Sequence, residues 1–356
     1  MMYNYLGNSG LRVSEIGLGT MKFGEAKDGH YPGNTTEEMS HTLMDRFVDL
    51  GGNFIDTADV YQAGLAEQHV GSWLHKRQNR ENMVIASKVR FNMDGGNANG
   101  SGLSRKHIIW NVEESLKRLQ TDYIDLYQIH CWDKATPLQE TLRTLDDLVK
   151  CGKVRYIGAS NVKGWQLQQI VCESRYMGLN PWIGLQAQYS LLCRGIELEL
   201  VDVCKNEGLG IIPWSPLKGG WLSGKIHRDV QPPEGSRIAY VEGDRAKREN
   251  SCHFSYTKFS ENEQVWKLLE IMRTIATKHG KSVAQVAIRW LLQKDTVPSV
   301  IIGVKTLQQL NDNMGAVGWS LTDDEVEELE NASKIEDMPH PYELNVMDRI
   351  RTNLCK

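Results

Sequence analysis

Short runs rich in β-branched and aliphatic residues alternate with longer amphipathic runs from about residue 16 to about residue 316, the pattern of repeated β-α units. The strand-like runs are Ile16–Thr20, Asn53–Thr57, Met83–Lys88, Ile124–His130, Val154–Ser160, Gly184–Ser190, Gly210–Ser215 and Ser299–Val304. Between them, Thr35 with Glu38, Ser260 with Glu263, Ser282 with Gln285 and Thr322 with Glu325 have capping-box spacing ahead of apolar periodic stretches, which marks helix starts. Strands that each return through a helix lie parallel, and eight such units predict a closed α/β barrel of the (β/α)8, or TIM-barrel, class.

A 356-residue chain is long enough for one such barrel, so a single domain is expected across 1–356, with the barrel over about 16–335 and a tail over 336–356. Ahead of the first strand, 3–14 reads as a hairpin whose turn is Asn8-Ser9-Gly10, able to plug the amino-terminal mouth. Two stretches exceed ordinary connections, Phe91–Gly102 and roughly Lys218–Phe259; each is a candidate lid or binding loop, or a surface insertion. With 40% hydrophobic residues, 24% charged and a net charge of −4, nothing in the overall charge invites nucleic acid. Seven scattered cysteines without a C-x-x-C pair suit reduced thiols. No stretch resembles a signal peptide or reaches the ~20 apolar residues of a membrane span. The expected setting is the cytoplasm, with no membrane or metal and no protein partner indicated.

Parallel strands in one barrel place their carboxyl ends side by side. Asp56 ends one of them, Tyr61 follows five residues on, and Lys88 and His130 end the next two. Singly, each has an ordinary structural role: a cap, a packing ring, a solvated amine. Converged, they suit proton-coupled chemistry.

The run Asn53-Phe54-Ile55-Asp56-Thr57-Ala58-Asp59-Val60-Tyr61, followed by Ile85-Ala86-Ser87-Lys88, Asp125-Leu126-Tyr127-Gln128-Ile129-His130 and Gly152-Lys153-Val154-Arg155-Tyr156-Ile157-Gly158-Ala159-Ser160-Asn161, resembles the aldo-keto reductase superfamily. The resemblance extends from Gly17-Leu18-Gly19-Thr20 to Asp312-Asn313. In detail it is nearer the branch of potassium-channel β subunits and bacterial aldehyde reductases. It implies NAD(P)H-dependent reduction of aldehydes or ketones to alcohols, with Asp56, Tyr61, Lys88 and His130 catalytic: a hydride arriving at the carbonyl carbon leaves charge on oxygen that Tyr61 would meet as proton donor, Lys88 would stabilise the phenolate and move its acidity toward neutrality, Asp56 would keep Lys88 charged, and His130 would hydrogen-bond the substrate oxygen. No Gly-x-Gly-x-x-Gly follows a strand, so the dinucleotide would not be held as in a Rossmann domain. Gly19, Thr20, Met21 and Asp56 would border the cofactor, Ser160, Asn161 and Gln186 would hold the nicotinamide carboxamide, and Trp214 would stack on its ring. Ser215, Pro216 and Leu217 would approach the pyrophosphate, with Gly219, Lys225 and Arg237 forming a strap across it. Gly303, Lys305, Gln309, Asp312 and Asn313 occupy the adenosine segment. An acid at Glu67 would sit near the cofactor end or simply be a solvated helix-start carboxylate.

The adenosine segment departs from the family pattern, in which many members carry Lys-Ser at its first positions and Arg where Gln309 stands. Lys305 can substitute as a point charge, so NADPH is expected ahead of NADH. Tyr31, Arg90, Trp132 and Trp221 are expected to line the substrate pocket, together with His30 and Asn92, and to favour a small polar or sugar-derived aldehyde. Two rival readings are a cofactor-binding accessory subunit that acts mainly through a protein partner, and a barrel lyase or isomerase using Lys88 as a Schiff-base amine.

Overall fold

The computed structural model describes residues 1–24, 34–93, 95–244, 255–335 and 341–342. Ten strands are assigned among them: β1 (Tyr3–Tyr5), β2 (Arg12–Ser14), β3 (Ile16–Gly19), β4 (Phe54–Asp56), β5 (Val84–Val89), β6 (Ile124–Ile129), β7 (Val154–Ser160), β8 (Trp182–Gln188), β9 (Gly210–Trp214) and β10 (Val300–Gly303). The first two pair antiparallel as the expected hairpin. The other eight form one parallel sheet in the order β10-β3-β4-β5-β6-β7-β8-β9. Packing of β9 beside β10 brings the sheet nearly round to closure, and helices cover its outside, among them α1 (Glu37–Asp49), α2 (Leu65–Arg77), α3 (Arg105–Leu119), α4 (Leu138–Lys150), α5 (Gly164–Tyr176), α6 (Leu200–Glu207) and α7 (Arg237–Glu242). This is the (β/α)8 barrel.

Strand alternation divides the core in two. Phe54, Val84, Ala86, Leu126, Ile212 and Ile301 point into the barrel, where Leu6 and Val13 of the hairpin join them from below. Ile55, Ile85, Tyr127 and Ile129 point outward into the layer shared with the helices. The hairpin is therefore the floor: Leu6 has no solvent exposure. The same alternation that fills the lower barrel with hydrocarbon puts Asp56 above Phe54, Lys88 above Ala86, and Gln128 above Leu126.

Two of the four expected capping boxes form as read, Ser282 with Gln285 and Thr322 with Glu325. The other two shift. Thr36, not Thr35, caps α1 by accepting from Met39 N, because the Thr35 hydroxyl donates to the Lys22 carbonyl and pairs with Ser40. Ser260 ends the short helix Tyr256–Ser260, and Asn262 caps the helix Glu263–His279 that follows. The Phe91–Gly102 loop is cinched at its base, where Gly102 N donates to Arg90 O at 2.8 Å. The Lys218–Phe259 stretch carries a 3-10 segment over Lys218–Ser223, then α7 and the start of Tyr256–Ser260; 245–254 lie outside the described residues. So does the tail, apart from 341–342; Tyr342 OH there donates to Glu199 Oε1 at 2.5 Å. No helix among the described residues is long and apolar enough to cross a membrane.

Helices α2 and α3, which back β4 and β5, touch backbone to backbone at Gly71. A Cβ there would lie 2.2 Å from Arg118 O and 2.6 Å from Leu119 C. Alanine is the better helix former by about 1 kcal/mol, yet here it would have to push two helices apart, which costs about 1–3 kcal/mol or more. We expect Gly71→Ala to lower the urea midpoint by a net loss of about 1–2 kcal/mol. A neutral or stabilised variant would show that the two helices do not meet this closely.

Candidate active site

At the carboxyl end of the barrel, β4 delivers Asp56 and β5 delivers Lys88, fully enclosed and 2% and 0% exposed respectively. Lys88 Nζ donates to Asp56 Oδ1 at 2.9 Å, to Asp56 Oδ2 at 2.8 Å, to the Thr57 carbonyl at 2.8 Å and to Tyr61 OH at 3.2 Å. Its ammonium also lies 4.8 Å from the centre of the Tyr61 ring. His130, just beyond β6, meets Tyr61 edge to face with ring centres 5.8 Å apart, and Phe91 abuts its other side at 4.9 Å. The tetrad expected from sequence is one contiguous group.

Its electrostatics follow from burial and neighbours. The Lys88 amine is held above its ordinary value: burial opposes the charge, but Asp56 and then Tyr61 outweigh it. His130 is driven well below the usual imidazole range by burial and by the Lys88 charge, so the ring is neutral and can donate one N–H. Tyr61 is a correction. Burial pushes its phenol up, Lys88 pulls it down, and Asp56 and Asp59 push it up again, for a net rise. Asp56 cancels much of the ammonium's field, so Tyr61 is a firmly protonated donor and not a near-neutral acid.

Several of the expected cofactor residues lie around the same rim. Thr20 Oγ1 and N donate to the Asp56 carbonyl at 3.1 and 2.9 Å, beside Gly19, which pairs with Asp56 in the sheet; the half-buried Met21 follows. Gln186 Nε2 donates to Asp56 Oδ1 at 2.7 Å. Asn161 Nδ2 donates to the His130 carbonyl and to Ser160 Oγ, both at 3.0 Å, and Trp214 Nε1 donates to Asn161 Oδ1 at 3.1 Å. Ser215, Pro216 and Leu217 follow, with Ser215 at φ 57° and Gly219 at φ 69° turning the chain over the mouth. Lys225 is exposed. Gly303 ends β10 with open space where a Cβ would sit. Gln309 Oε1 accepts the Lys305 N–H at 2.8 Å, Asp312 accepts from Gln285 Nε2, and Asn313 is buried.

Sequence reasoning missed Lys22. It lies two residues past Thr20 and is 7% exposed; burial first, then the charges of Arg237 and Lys305, push its amine down to about 7. Lys305 is lowered in turn by burial and by Arg237, and its Nζ donates to the Gly235 carbonyl at 3.0 Å. The Arg237 and Lys305 cations and the partly charged Lys22 amine, drawn together at one edge of the mouth, make a setting that suits an anion. Position after a β3 end and ahead of a turn was the only signal for Lys22.

Of the expected substrate residues, Trp132 is half-buried two places past His130 and meets the exposed Trp165 of α5 at 5.6 Å. Arg90 lies over Phe91 at 5.6 Å. Tyr31, with His30, lies outside the described residues. Trp221 is not at the mouth: it is 0% exposed and packs against Tyr256, Phe259 and Trp266, a core ring that anchors the strap. Glu67 is neither solvated nor at the rim. It is buried, accepts from Ser87 Oγ at 2.5 Å and pairs with Arg118 at 2.7 Å.

The aldo/keto reductase family profile matches residues 15–334, and the chain belongs to that family. It is 38% identical over 332 residues to the uncharacterized oxidoreductase YrpG of Bacillus subtilis, covering 90% of this chain and 92% of that protein. It is 34% identical over 338 residues to norsolorinic acid reductase B of Dothistroma septosporum, covering 93% and 81%. To the aryl-alcohol dehydrogenase [NADP(+)] of Phanerodontia chrysosporium it is 32% identical over 331 residues, covering 90% and 82%. The protein is an NAD(P)H-dependent, carbonyl-reducing oxidoreductase.

The buried ion pair carries a stability consequence. Removing one partner leaves the other charge stranded, at about 3–5 kcal/mol. Lys88→Met should therefore be destabilised by about that amount in urea unfolding, and Lys88→Met combined with Asp56→Asn should recover a good part of it. Equal losses in the single and double variants would contradict the pairing.

Proposed function

We propose that this protein is an NADPH-dependent aldehyde reductase in which Tyr61 protonates the carbonyl oxygen. The observation that carries the reading is the contact of Lys88 Nζ with Tyr61 OH at 3.2 Å beside the neutral ring of His130. The bound nicotinamide supplies the hydride. His130 donates its N–H to the substrate oxygen and orients it; Tyr61 holds its proton at that oxygen until charge develops. Lys88, charged and fixed by Asp56, stabilises the phenolate that remains. The same four contacts argue against an imine role: an amine kept protonated and saturated by Asp56, Thr57 and Tyr61 is a poor nucleophile.

Ser160, Asn161 and Gln186 would hold the carboxamide and Trp214 the ring, all within the network around Asp56 and His130. NADPH is preferred over NADH because Lys22, Arg237 and Lys305 concentrate charge at the phosphate end without the arginine many family members carry at Gln309. On the substrate side, the expectation of a sugar-derived aldehyde leaned partly on Trp221 and Tyr31. Among the described residues, Phe91 lies against His130 and the half-buried Trp132 follows two places on in the chain. An aromatic aldehyde therefore suits the mouth better than a hydroxylated one, in keeping with a relative that bears the name aryl-alcohol dehydrogenase.

Two measurements test this. Tyr61→Phe should lose about 10²–10⁴-fold in kcat on nitrobenzaldehyde, with NADPH still quenching protein fluorescence as in the wild type; unchanged turnover would refute the donor. Lys305→Ala should weaken NADPH about tenfold more than NADH. Equal effects on the two cofactors would remove Lys305 from the 2′-phosphate site.

A further inference from the structure

Directly after Tyr61 the backbone enters a conformation that side chains avoid. Gln62 (φ 51°, ψ 40°) and Ala63 (φ 53°, ψ 40°) are both left-handed, and Gly64 follows at φ 90°. Left-handed non-glycine residues cost about 1–3 kcal/mol each and persist only where their surroundings over-determine them. On one side the Gln62 amide is clamped: its Nε2 donates to Met21 O at 3.1 Å and its Oε1 accepts from Asn34 Nδ2 at 2.9 Å. On the other side lies a buried polar network that the chemistry proposed above does not use.

Its centre is Asp59, wholly buried outside the barrel wall. Oδ1 accepts the N–H of Val60, the residue before Tyr61, at 2.6 Å, and Oδ2 accepts from Asn111 Nδ2 on α3 at 2.7 Å. Asn111 Oδ1 in turn accepts from Tyr127 OH at 3.0 Å, and the Asp59 N–H donates to the Lys88 carbonyl at 3.4 Å. Next to it, Glu67 joins Ser87, the residue before Lys88, to Arg118 of α3. The Arg118 chain also covers Gly64, where a Cβ would meet its Cδ at 2.9 Å. Both carboxylates thus grip the residue preceding a member of the tetrad, and both are anchored on α3.

We propose that Asp59, held by Asn111 and backed by the Glu67–Arg118 pair, is a positioning residue that fixes the left-handed turn carrying Tyr61. The inference rests on the reading of Tyr61 as proton donor. An ionised Asp59 accepts at both oxygens with full charge; a proton on either one turns that oxygen into a donor and weakens the Val60 or the Asn111 bond. Burial and the neighbouring Glu67 carboxylate raise this acid to about 7, against the pull of Asn111, Val60 and Arg118. The other polar groups facing it are the Tyr127 hydroxyl from β6, the Lys88 carbonyl from β5 and Tyr61 from its own loop. The grip therefore loosens as pH falls through about 7.

The test compares wild type, Asp59→Asn and Asp59→Ala in nitrobenzaldehyde reduction across pH 6 to 8, with NADPH fluorescence titration as the check on a folded cofactor site. Displacing a catalytic group by about 1 Å costs on the order of 100-fold. We expect kcat to fall by about 10- to 100-fold in Asp59→Asn, and at least as far in Asp59→Ala, with NADPH affinity held in Asp59→Asn. Wild-type kcat should decline on the acid side with a midpoint near 7, and the Asp59→Asn profile should be flat over that range. Wild-type kcat and pH profile retained in Asp59→Asn would overturn the inference alone. A wild-type protein that reduces no aldehyde, or a Tyr61→Phe variant that still does, would overturn the donor reading and the inference with it.

Discussion

A charged amine with no solvent exposure has to be neutralised, and in this protein Lys88 is neutralised by Asp56 through two hydrogen bonds of 2.9 and 2.8 Å. Everything at the catalytic mouth is arranged around that pair. It places an ammonium under the Tyr61 hydroxyl, its charge adds to burial in keeping His130 neutral, and it takes the Gln186 amide that ties β8 to β4. Burial of such a pair is a weak source of stability and a strong source of geometry, because breaking it strands a charge.

The barrel makes this possible by layering. Its lower interior is hydrocarbon, closed underneath by Leu6 and Val13 of the hairpin, and the polar layer begins one alternation higher on each strand. Low dielectric below and the rim above give Asp56 and Lys88 few partners except each other and their neighbours. The outer face of the same strands carries a second polar layer, in which Asp59 and Glu67 tie the two catalytic loops to α3. The tetrad is thus fixed from inside by the ion pair and from outside by buried carboxylates, with strain stored in the turn between them.

Fold and tetrad were legible because both follow from short-range regularities. Strand positions came from runs bounded by turn residues, and all eight barrel strands lie within two residues of the expected limits. Asp56, Lys88 and His130 could be read because parallel strands present their carboxyl ends together whatever the loops do. What escaped depended on tertiary company. Thr36 displaces Thr35 as a cap only because Thr35 is occupied by Lys22 and Ser40. Trp221 looked like a pocket wall, yet three aromatic rings contributed from 256–266 enclose it. The direction of the Tyr61 shift depends first on burial and then on Asp56 offsetting Lys88, neither of which spacing along a chain contains. Lys22 joins Arg237 and Lys305 from over 200 positions away.

The central claim is that burial around the Lys88–Asp56 pair leaves a protonated phenol and a neutral imidazole facing each other. Nuclear magnetic resonance titration of the protein, with ¹³C at the tyrosine ring carbon bearing oxygen and ¹⁵N in the histidine rings, reads both states at once. Tyr61 should remain a phenol beyond pH 10 and His130 should remain neutral well below pH 6.5. A Tyr61 phenolate forming below pH 10, or a His130 imidazolium forming at or above pH 6.5, would contradict the account.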